Sequence, residues 1–179
     1  MSKKMTLFGL IGILSLPFLV FPSLAPADQF YLQHPGISFH AQYATQLYFK
    51  SNNGYLYHND DMDEEYMCPV HFSIPDGAIY FIKSLGIRYK DNWTDGFLMV
   101  RLRRRNLYTG AMHDVATWQS DKSGASPSEQ TASQGTDAGY KLIDTKKFSY
   151  WLYAYFHRDG TGSHGPNMVL YQVRVHYGT

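Results

Sequence analysis

Alternating apolar and polar positions recur along most of the chain and predict short β-strands. Leu98, Val100 and Leu102 alternate with residues such as Arg101 and Arg103, which places the arginines on the opposite side of the strand from the core. Seven further segments carry strand patterns or strand composition: 37–41, 55–57, 67–73, 78–89, 111–120, 148–157 and 168–177. Because no convincing amphipathic helix separates them, the pattern predicts an all-β chain, a two-sheet antiparallel β-sandwich of about eight strands that is jelly-roll-like.

The strongest strand signal, in segment 148–157, is apolar on both sides. Core-type residues such as Leu152 alternate with a second side that carries Trp151, Tyr153 and Tyr155. A strand that is apolar on both sides is typical of a central strand or of one covered on both faces. If the protein self-associates, this aromatic side is the predicted contact surface, since aromatic side chains dominate interface energetics.

The first 27 residues have the three parts of a secretory signal peptide. Two lysines near the start precede a long apolar run, and Ala25 and Ala27 supply the small residues of a cleavage site. Pro17 and Pro22 interrupt the run, which is shorter than a membrane-spanning helix requires. We therefore expect cleavage, a secreted, periplasmic or cell-surface protein, and no membrane span in the mature chain.

Residues 28–179 have the length of a single domain. Loss of Lys3 and Lys4 leaves 14 Lys and Arg against 15 Asp and Glu, which changes the formal net charge from +1 to −1. This balance argues against a nucleic-acid partner, because such binding depends on clustered cations. Cys68 is the only cysteine, so the domain has no internal disulfide; the thiol is expected to be buried, with a bridge between chains as the alternative.

The segment 121–139 is rich in Ser, Gly, Thr and Ala and has almost no large apolar residue. Such a composition predicts a flexible loop. Part of the segment has the alternative of pairing weakly as an edge strand.

A series of turn and strand motifs from Cys68 onward carries a resemblance to a known group of proteins. The motifs are Cys68-Pro69-Val70-His71-Phe72, Pro75-Asp76-Gly77-Ala78, Tyr89-Lys90-Asp91-Asn92, Tyr150-Trp151-Leu152-Tyr153-Ala154 and Leu170-Tyr171-Gln172-Val173-Arg174-Val175-His176-Tyr177. In these the chain resembles a set of uncharacterised, exported, single-domain bacterial β-sandwich proteins of jelly-roll type. The resemblance implies the fold and a bacterial source, and it carries over no catalytic residue.

Five aromatic side chains outside the strongest core pattern are candidates for stacking against a sugar. They are Tyr48, Tyr55, Tyr57, Trp93 and Trp118. A glycan-binding surface requires such rings to be exposed and close together, whereas a β-sandwich with large core side chains accounts for the same composition without a ligand. The sequence leaves both interpretations open.

Arg101 and Arg103 are candidate binding residues for an anionic group. Together with Arg105 they share one side of a predicted strand, and each guanidinium presents a planar fork of donors to a carboxylate or sulfate. The alternative is structural: the arginines protect the strand against unwanted edge pairing or pair with the acidic loop at residues 59–65.

An acidic segment places five carboxylates within residues 60–65. Asp60, Asp61, Asp63 and Glu64 are candidate Ca²⁺ ligands, since Ca²⁺ binds several oxygen atoms at once. The segment lacks the glycine and spacing of an EF-hand loop, so a solvated acidic loop is the favoured interpretation and no cofactor is expected.

The chain contains no recognisable catalytic motif, neither a nucleophile elbow nor a zinc-binding helix. We therefore predict an exported, non-catalytic β-sandwich with a binding or assembly role at the cell surface or outside the cell. The alternative is a glycan-binding module or a carbohydrate-active enzyme that uses carboxylates of the acidic segment on extracellular polysaccharide.

Overall fold

The computed structural model describes residues 28–42, 49–50, 54–58, 63–93, 96–120, 126–158 and 168–179. The predicted signal peptide, residues 1–27, lies outside this part of the chain and stays a prediction. None of the described residues forms a helix long and apolar enough to cross a membrane. The strands are β1 (Gln29–Pro35), β2 (His40–Ala41), β3 (Phe49–Lys50), β4 (Leu56–His58), β5 (Glu64–Val70), β6 (Phe81–Asp91), β7 (Gly96–Asn106), β8 (Met112–Gln119), β9 (Ser126–Gly135), β10 (Phe148–Arg158) and β11 (Met168–Gly178).

These strands form two antiparallel sheets. The six-stranded sheet has the order β3-β4-β11-β6-β9, with β1 also paired to β11, and the five-stranded sheet has the order β2-β5-β10-β7-β8. The eight strands β4 to β11 thus divide into β4-β11-β6-β9 and β5-β10-β7-β8, which is the strand order of a jelly roll. The predicted all-β, two-sheet antiparallel jelly-roll sandwich is confirmed.

The core lies between the inner faces of the two sheets. Leu152 on β10 and Leu102 on β7 are paired neighbours in the five-stranded sheet. Leu85 on β6 and Val173 on β11 belong to the six-stranded sheet. All four side chains are fully buried. Cys68 is 3 % exposed, and its sulfur lies 3.3 Å from Nδ1 of His34. The thiol is therefore enclosed within the sandwich.

Strand β9 corrects the loop predicted for 121–139. Residues 126–135 pair with β6 over the register that joins Ser84 to Gly135 and Tyr89 to Gln130. The small polar side chains suit an edge strand that is mostly exposed, while the backbone pairing to β6 requires no large apolar residue. The alternative of edge pairing is the one that the structure adopts.

The residues that precede the first predicted strand, 37–41, form the strand β1. β1 pairs with the second half of β11, and β4 pairs with its first half on the same edge. Gly36 stands at the junction, where a Cβ atom would clash with the carbonyl oxygen of Leu170 and with the amide nitrogen of Leu56. This close approach of three backbone segments requires glycine.

Candidate functional site

The five rings predicted for glycan binding do not form one cluster in the structure. Tyr55 and Tyr57 lie together at the β4 edge of the six-stranded sheet, with their ring centroids 6.2 Å apart. Trp93 is half-buried and packs against the core after β6, and its backbone N–H donates to Asp91. Tyr48 lies outside the described residues.

Trp118 is a core residue, which corrects its prediction as an exposed ring. It is 9 % exposed, and its ring centroid lies 4.5 Å from that of Tyr89 on the facing sheet. The reason is the alternation of β8, which turns Trp118 inward beside Ala116 while Thr117 and Gln119 remain exposed. Its ring is therefore not available to stack on a sugar at the surface.

Arg101 and Arg103 lie on the outer face of the five-stranded sheet, where both bind the same carboxylate. Arg103 Nε donates to Asp114 Oδ1 at 2.8 Å, and Arg101 Nη1 lies 3.3 Å from Asp114 Oδ2. The Arg103 guanidinium also lies 5.5 Å from the ring centroid of Tyr153. A neighbouring strand thus supplies the counterion for the two arginines.

The acidic segment does not bring its described carboxylates together. Asp63 is exposed and accepts a hydrogen bond from the hydroxyl of Tyr155, and its Oδ1 lies 2.9 Å from Nδ1 of His157. Asp60 and Asp61, two of the four predicted Ca²⁺ ligands, lie outside the described residues. Through Tyr155 and His157, the Asp63 carboxylate instead links the start of β5 to the end of β10.

Glu64 points in the opposite direction from its neighbour Asp63. It is 2 % exposed, and its Oε2 accepts a hydrogen bond of 2.8 Å from the hydroxyl of Tyr66 inside the sandwich. The Asp63 carboxylate is thus engaged at the surface and the Glu64 carboxylate inside the sandwich, and the two do not converge on one point. Within the described part of the chain no group of three metal-ligating side chains is found, and a Ca²⁺ site at 60–65 stays a prediction.

We call the outer side of the five-stranded sheet the five-stranded face; its centre is the aromatic side of β10. Tyr153 is only 8 % exposed, and the Glu65 carboxylate lies beside it. Burial and the adjacent Glu65 carboxylate both raise the pKa of Tyr153. The rings of Tyr153 and Tyr155 stack with centroids 6.4 Å apart. On this face Asp114 engages Arg101 and Arg103, and Asp63 engages Tyr155 and His157.

The outer side of the six-stranded sheet, which we call the six-stranded face, contains a depression of about 190 Å³ at its centre. Strands β6, β9 and β11 form its walls. It is smaller than the roughly 300–1,000 Å³ of pockets that enclose drug-sized ligands, so it suits one unit of a larger ligand. The depression is lined by Gly86, Ile87, Arg88, Thr131, Ala132, Gln172 and Arg174, and we call it the Gly86 depression.

The depression exists because Gly86 supplies no side chain at a position where β6 faces outward. The register places Arg174 of β11 and Ser133 of β9 on either side of it. Its φ is not positive, and a Cβ atom there would meet its nearest neighbour, the Cβ of Arg174, at an ordinary 3.7 Å. The described backbone and packing therefore do not require glycine at this position.

Aromatic rings stand on both sides of the Gly86 depression. The Arg88 guanidinium lies 5.6 Å from the ring centroid of Tyr171, and the Arg174 guanidinium lies 5.5 Å from that of Tyr31. Tyr31 is 51 % exposed and stacks on His176, with the ring centroids 4.7 Å apart. The six-stranded face thus combines planar cationic donors with exposed aromatic surface around a concave centre.

One pair of predicted residues adjoins this surface. The ring of Tyr55 packs edge-on against Tyr171 with centroids 5.4 Å apart, and Tyr57 follows beside it. The rings of Tyr57, Tyr55 and Tyr171 therefore form a continuous row from β4 to Arg88 at the rim of the depression.

The residues that line the Gly86 depression were not predicted as a site. The alternation of the sequence does place Gly86 and Arg88 on the side of β6 opposite Leu85, and Gln172 and Arg174 on one side of β11. A glycine within a strand pattern is a signal that sequence reasoning can use, since it often marks a bulge, a bend or the approach of a ligand. The pairing of β6 with β11, which brings these residues together, is not encoded locally.

Comparisons with known proteins give distant likenesses only. No protein-family profile and no curated protein matches the chain. Among solved structures, a C-terminal CBM6 of the laminarinase LamC from Zobellia galactanivorans has a TM-score of 0.42 and 11% identity, and the match covers 83% of this chain and 99% of that one. A family 11 carbohydrate-binding module from Clostridium thermocellum has a TM-score of 0.38 and 6% identity, with 82% and 87% covered.

A family two carbohydrate esterase from Cellvibrio japonicus has a TM-score of 0.40 and 9% identity; the match covers 86% of this chain and about a third, 34%, of the esterase. At these scores and identities the likenesses carry no functional argument. The architecture of this chain rests on its own strand order, and its candidate site rests on the geometry of its own side chains.

Proposed function

We propose that the protein is an exported, non-catalytic glycan-binding domain and that a sugar unit binds in the Gly86 depression. A sugar presents hydroxyl groups around an apolar C–H surface, so it is recognised by planar donors beside aromatic rings. The six-stranded face offers both, with the side chains of Arg88, Gln172 and Arg174 around the depression and Tyr31 and Tyr171 next to it. A chain of sugar units has room to continue over these rings.

The observation that carries the proposal is the unexplained glycine at the centre of the sheet. Glycine within a strand is destabilising by roughly 0.5–1 kcal/mol relative to alanine. A bulge or a close backbone approach would account for it, but β6 pairs in regular register on both sides of Gly86, and the described atoms leave room for a Cβ. Access for a ligand is the remaining reason for a strand glycine.

Filling the depression tests the proposal. Gly86→Val places a β-branched side chain, which strands favour, into the depression, and Gly86→Ala adds only a methyl group. The matched control is Gly135→Val, since Gly135 lies on β9 of the same sheet and has open space around its Cβ position. We expect wild type and Gly135→Val to bind a polysaccharide in affinity gel electrophoresis, and Gly86→Val to lose binding with an unchanged melting temperature.

Two results would overturn the proposal. One is the absence of any retardation of the wild-type protein by a panel of neutral, uronic-acid and sulfated polysaccharides. The other is retention of full affinity by Gly86→Val. If the valine variant melts early, Gly86→Ala provides the comparison, because the methyl group makes only an ordinary contact.

Self-association through the aromatic side of β10 remains a separate prediction. Sedimentation over a wide concentration range tests it, and a monomer throughout would count against assembly. The alternative of a carbohydrate-active enzyme requires carboxylates that converge on one cleft. In the described residues Asp63 and Glu64 face opposite sides of the five-stranded sheet, which favours the binding role.

A further inference from the structure

The charges around the Gly86 depression are balanced on one side only. Arg88 is ion-paired with Glu129, and its Nη2 lies 3.0 Å from Glu129 Oε2. Arg174, on the opposite wall, contacts the ring of Tyr31 and forms no ion pair with any described residue. Among the described residues, Arg174 is therefore a cation without a counterion beside the depression.

The Arg174 side chain is ordered by its contact with an aromatic ring. The Tyr31 ring lies beneath its guanidinium, and Tyr31 in turn stacks on His176, the next outward-facing residue of β11. A stacked guanidinium keeps its fork of N–H donors free for a carboxylate or sulfate, because a ring face uses none of them. Ordering of the side chain before binding lowers the entropy that association costs.

The other polar groups at the depression are neutral. Gln172 donates from Nε2 to Gln33 Oε1 at 2.9 Å, and its own side-chain oxygen is an acceptor. Thr131 supplies a hydroxyl group to the lining of the depression. Neutral amide and hydroxyl groups suit sugar hydroxyls, whereas the unpaired guanidinium suits an anionic substituent.

We infer that the glycan bound in the Gly86 depression is acidic and that Arg174 binds its carboxylate or sulfate group. This inference rests on the proposed glycan-binding function and adds the substrate class. Arg88 is already engaged by Glu129 and is left to contact hydroxyl groups of the sugar. Arg174 is thus the specificity-determining residue of the site.

Isothermal titration of the purified protein with short polyuronate oligomers tests the inference. The comparison ligand is the same oligomer after chemical reduction of its carboxyl groups to alcohols, which keeps the sugar chain and removes the charge. Since a hydrogen bond to a charged group contributes more than a neutral one, we expect the reduced ligand to bind about tenfold more weakly. A sulfated polysaccharide in a parallel titration distinguishes sulfate from carboxylate as the preferred anion.

Variants separate a specific contact from general attraction between charges. We expect Arg174→Gln to weaken binding of the acidic oligomer about tenfold and to leave binding of the reduced oligomer unchanged. The matched control is Arg105→Gln, which removes the same charge from an exposed position on β7 of the other sheet and is expected to bind like wild type.

The outcomes distinguish this inference from the proposed function. Equal binding of neutral and acidic ligands, or equal effects of Arg174→Gln and Arg105→Gln, overturns the acidic-glycan inference and leaves glycan binding intact. If the wild-type protein binds neither the polyuronate oligomer, nor its reduced form, nor the sulfated polysaccharide, the inference is overturned. If it also binds no polysaccharide of the electrophoresis panel, the proposed function is overturned as well.

Discussion

The two outer faces differ at their centres: the five-stranded face supplies one carboxylate to Arg101 and Arg103, whereas Arg174 on the six-stranded face lies beside a depression and has no ion pair with a described residue. On the first, Asp114 contacts both Arg101 and Arg103, and Tyr153 is nearly buried beside the Glu65 carboxylate. On the second, Arg174 is partnered only by a ring among the described residues. The two faces have similar aromatic and arginine content, so composition does not separate them.

The difference teaches that a binding site is marked by donors left open at a concave surface, more than by the presence of rings. Tyr153 is as buried as a core residue although it points outward, because it lies between the long side chains of Met67 on β5 and Arg101 on β7. Tyr31 is 51 % exposed, because it stands on the outermost partner of β11. This contrast supports the proposed ligand binding at the six-stranded face and favours a structural role for the centre of the five-stranded face.

The largest expected effect is on stability. Tyr153→Ala removes a ring that is 8 % exposed, and we expect a loss of about 3 kcal/mol in the free energy of unfolding. Tyr171→Ala on the six-stranded face removes a half-exposed ring and is expected to lose about 1 kcal/mol while weakening polysaccharide binding. Urea unfolding of both variants gives the comparison. Equal losses would contradict the assignment of a structural role to the five-stranded face.

A second prediction concerns alkaline pH. The pKa of Tyr153 is raised in the folded state, so its contribution to stability is complete below the unfolded pKa of about 10 and is lost as the pH rises through the higher folded pKa. We expect the free energy of unfolding of wild type to fall above about pH 10 by as much as roughly 1.4 kcal/mol per pH unit from this group.

Tyr153→Phe is the control, since it lacks the titrating hydroxyl and keeps the ring. Its stability is expected to fall less steeply over the same pH range in urea titrations. Parallel curves for the two proteins would show that the Tyr153 hydroxyl does not titrate differently in the folded and unfolded states.

A smaller effect is expected from the shared carboxylate of the five-stranded face. Asp114→Asn removes the counterion of Arg101 and Arg103, whose side chains are 30% and 25% exposed. Such partly exposed pairs contribute about 0.5–1 kcal/mol, so a small drop in stability is expected. Affinity for a polyuronate is expected to stay unchanged in titration. A clear gain in affinity would mean that the five-stranded face also binds the ligand.

The smallest effect is expected at Glu129. Glu129→Gln removes the ion pair of Arg88 and gives the Gly86 depression a second open cation. Affinity for an acidic oligomer is expected to rise about two- to threefold, which corresponds to the modest strength of an exposed pair. The Gln variant is measured beside wild type with the carboxyl-reduced oligomer, for which no change is expected. A fall in acidic-ligand affinity would argue that Glu129 positions Arg88 for binding.

The local pattern of apolar and polar residues was sufficient to predict the β-sandwich, because the alternation of a strand depends only on neighbouring residues. The positions 98, 100 and 102 face the core as the alternation requires, and Arg101 and Arg103 face outward. The same reasoning failed for 126–135, because β9 is held by backbone pairing to β6 and has small polar side chains. It also failed for Trp118, because a register shift between β7 and β8 interrupts the simple alternation and leaves the consecutive residues Val115 and Ala116 both buried.

The sequence by itself determined that the chain forms two antiparallel sheets with an aromatic core, since period-two alternation and turn residues are local properties. Only the tertiary structure decided which outward residues meet. Gly86 and Arg174 are far apart along the chain and become neighbours through the antiparallel register of β6 and β11. Likewise Asp114 reaches Arg101 and Arg103 through the β7–β8 pairing, so strand register brings a counterion to these two arginines, whereas no described residue forms an ion pair with Arg174.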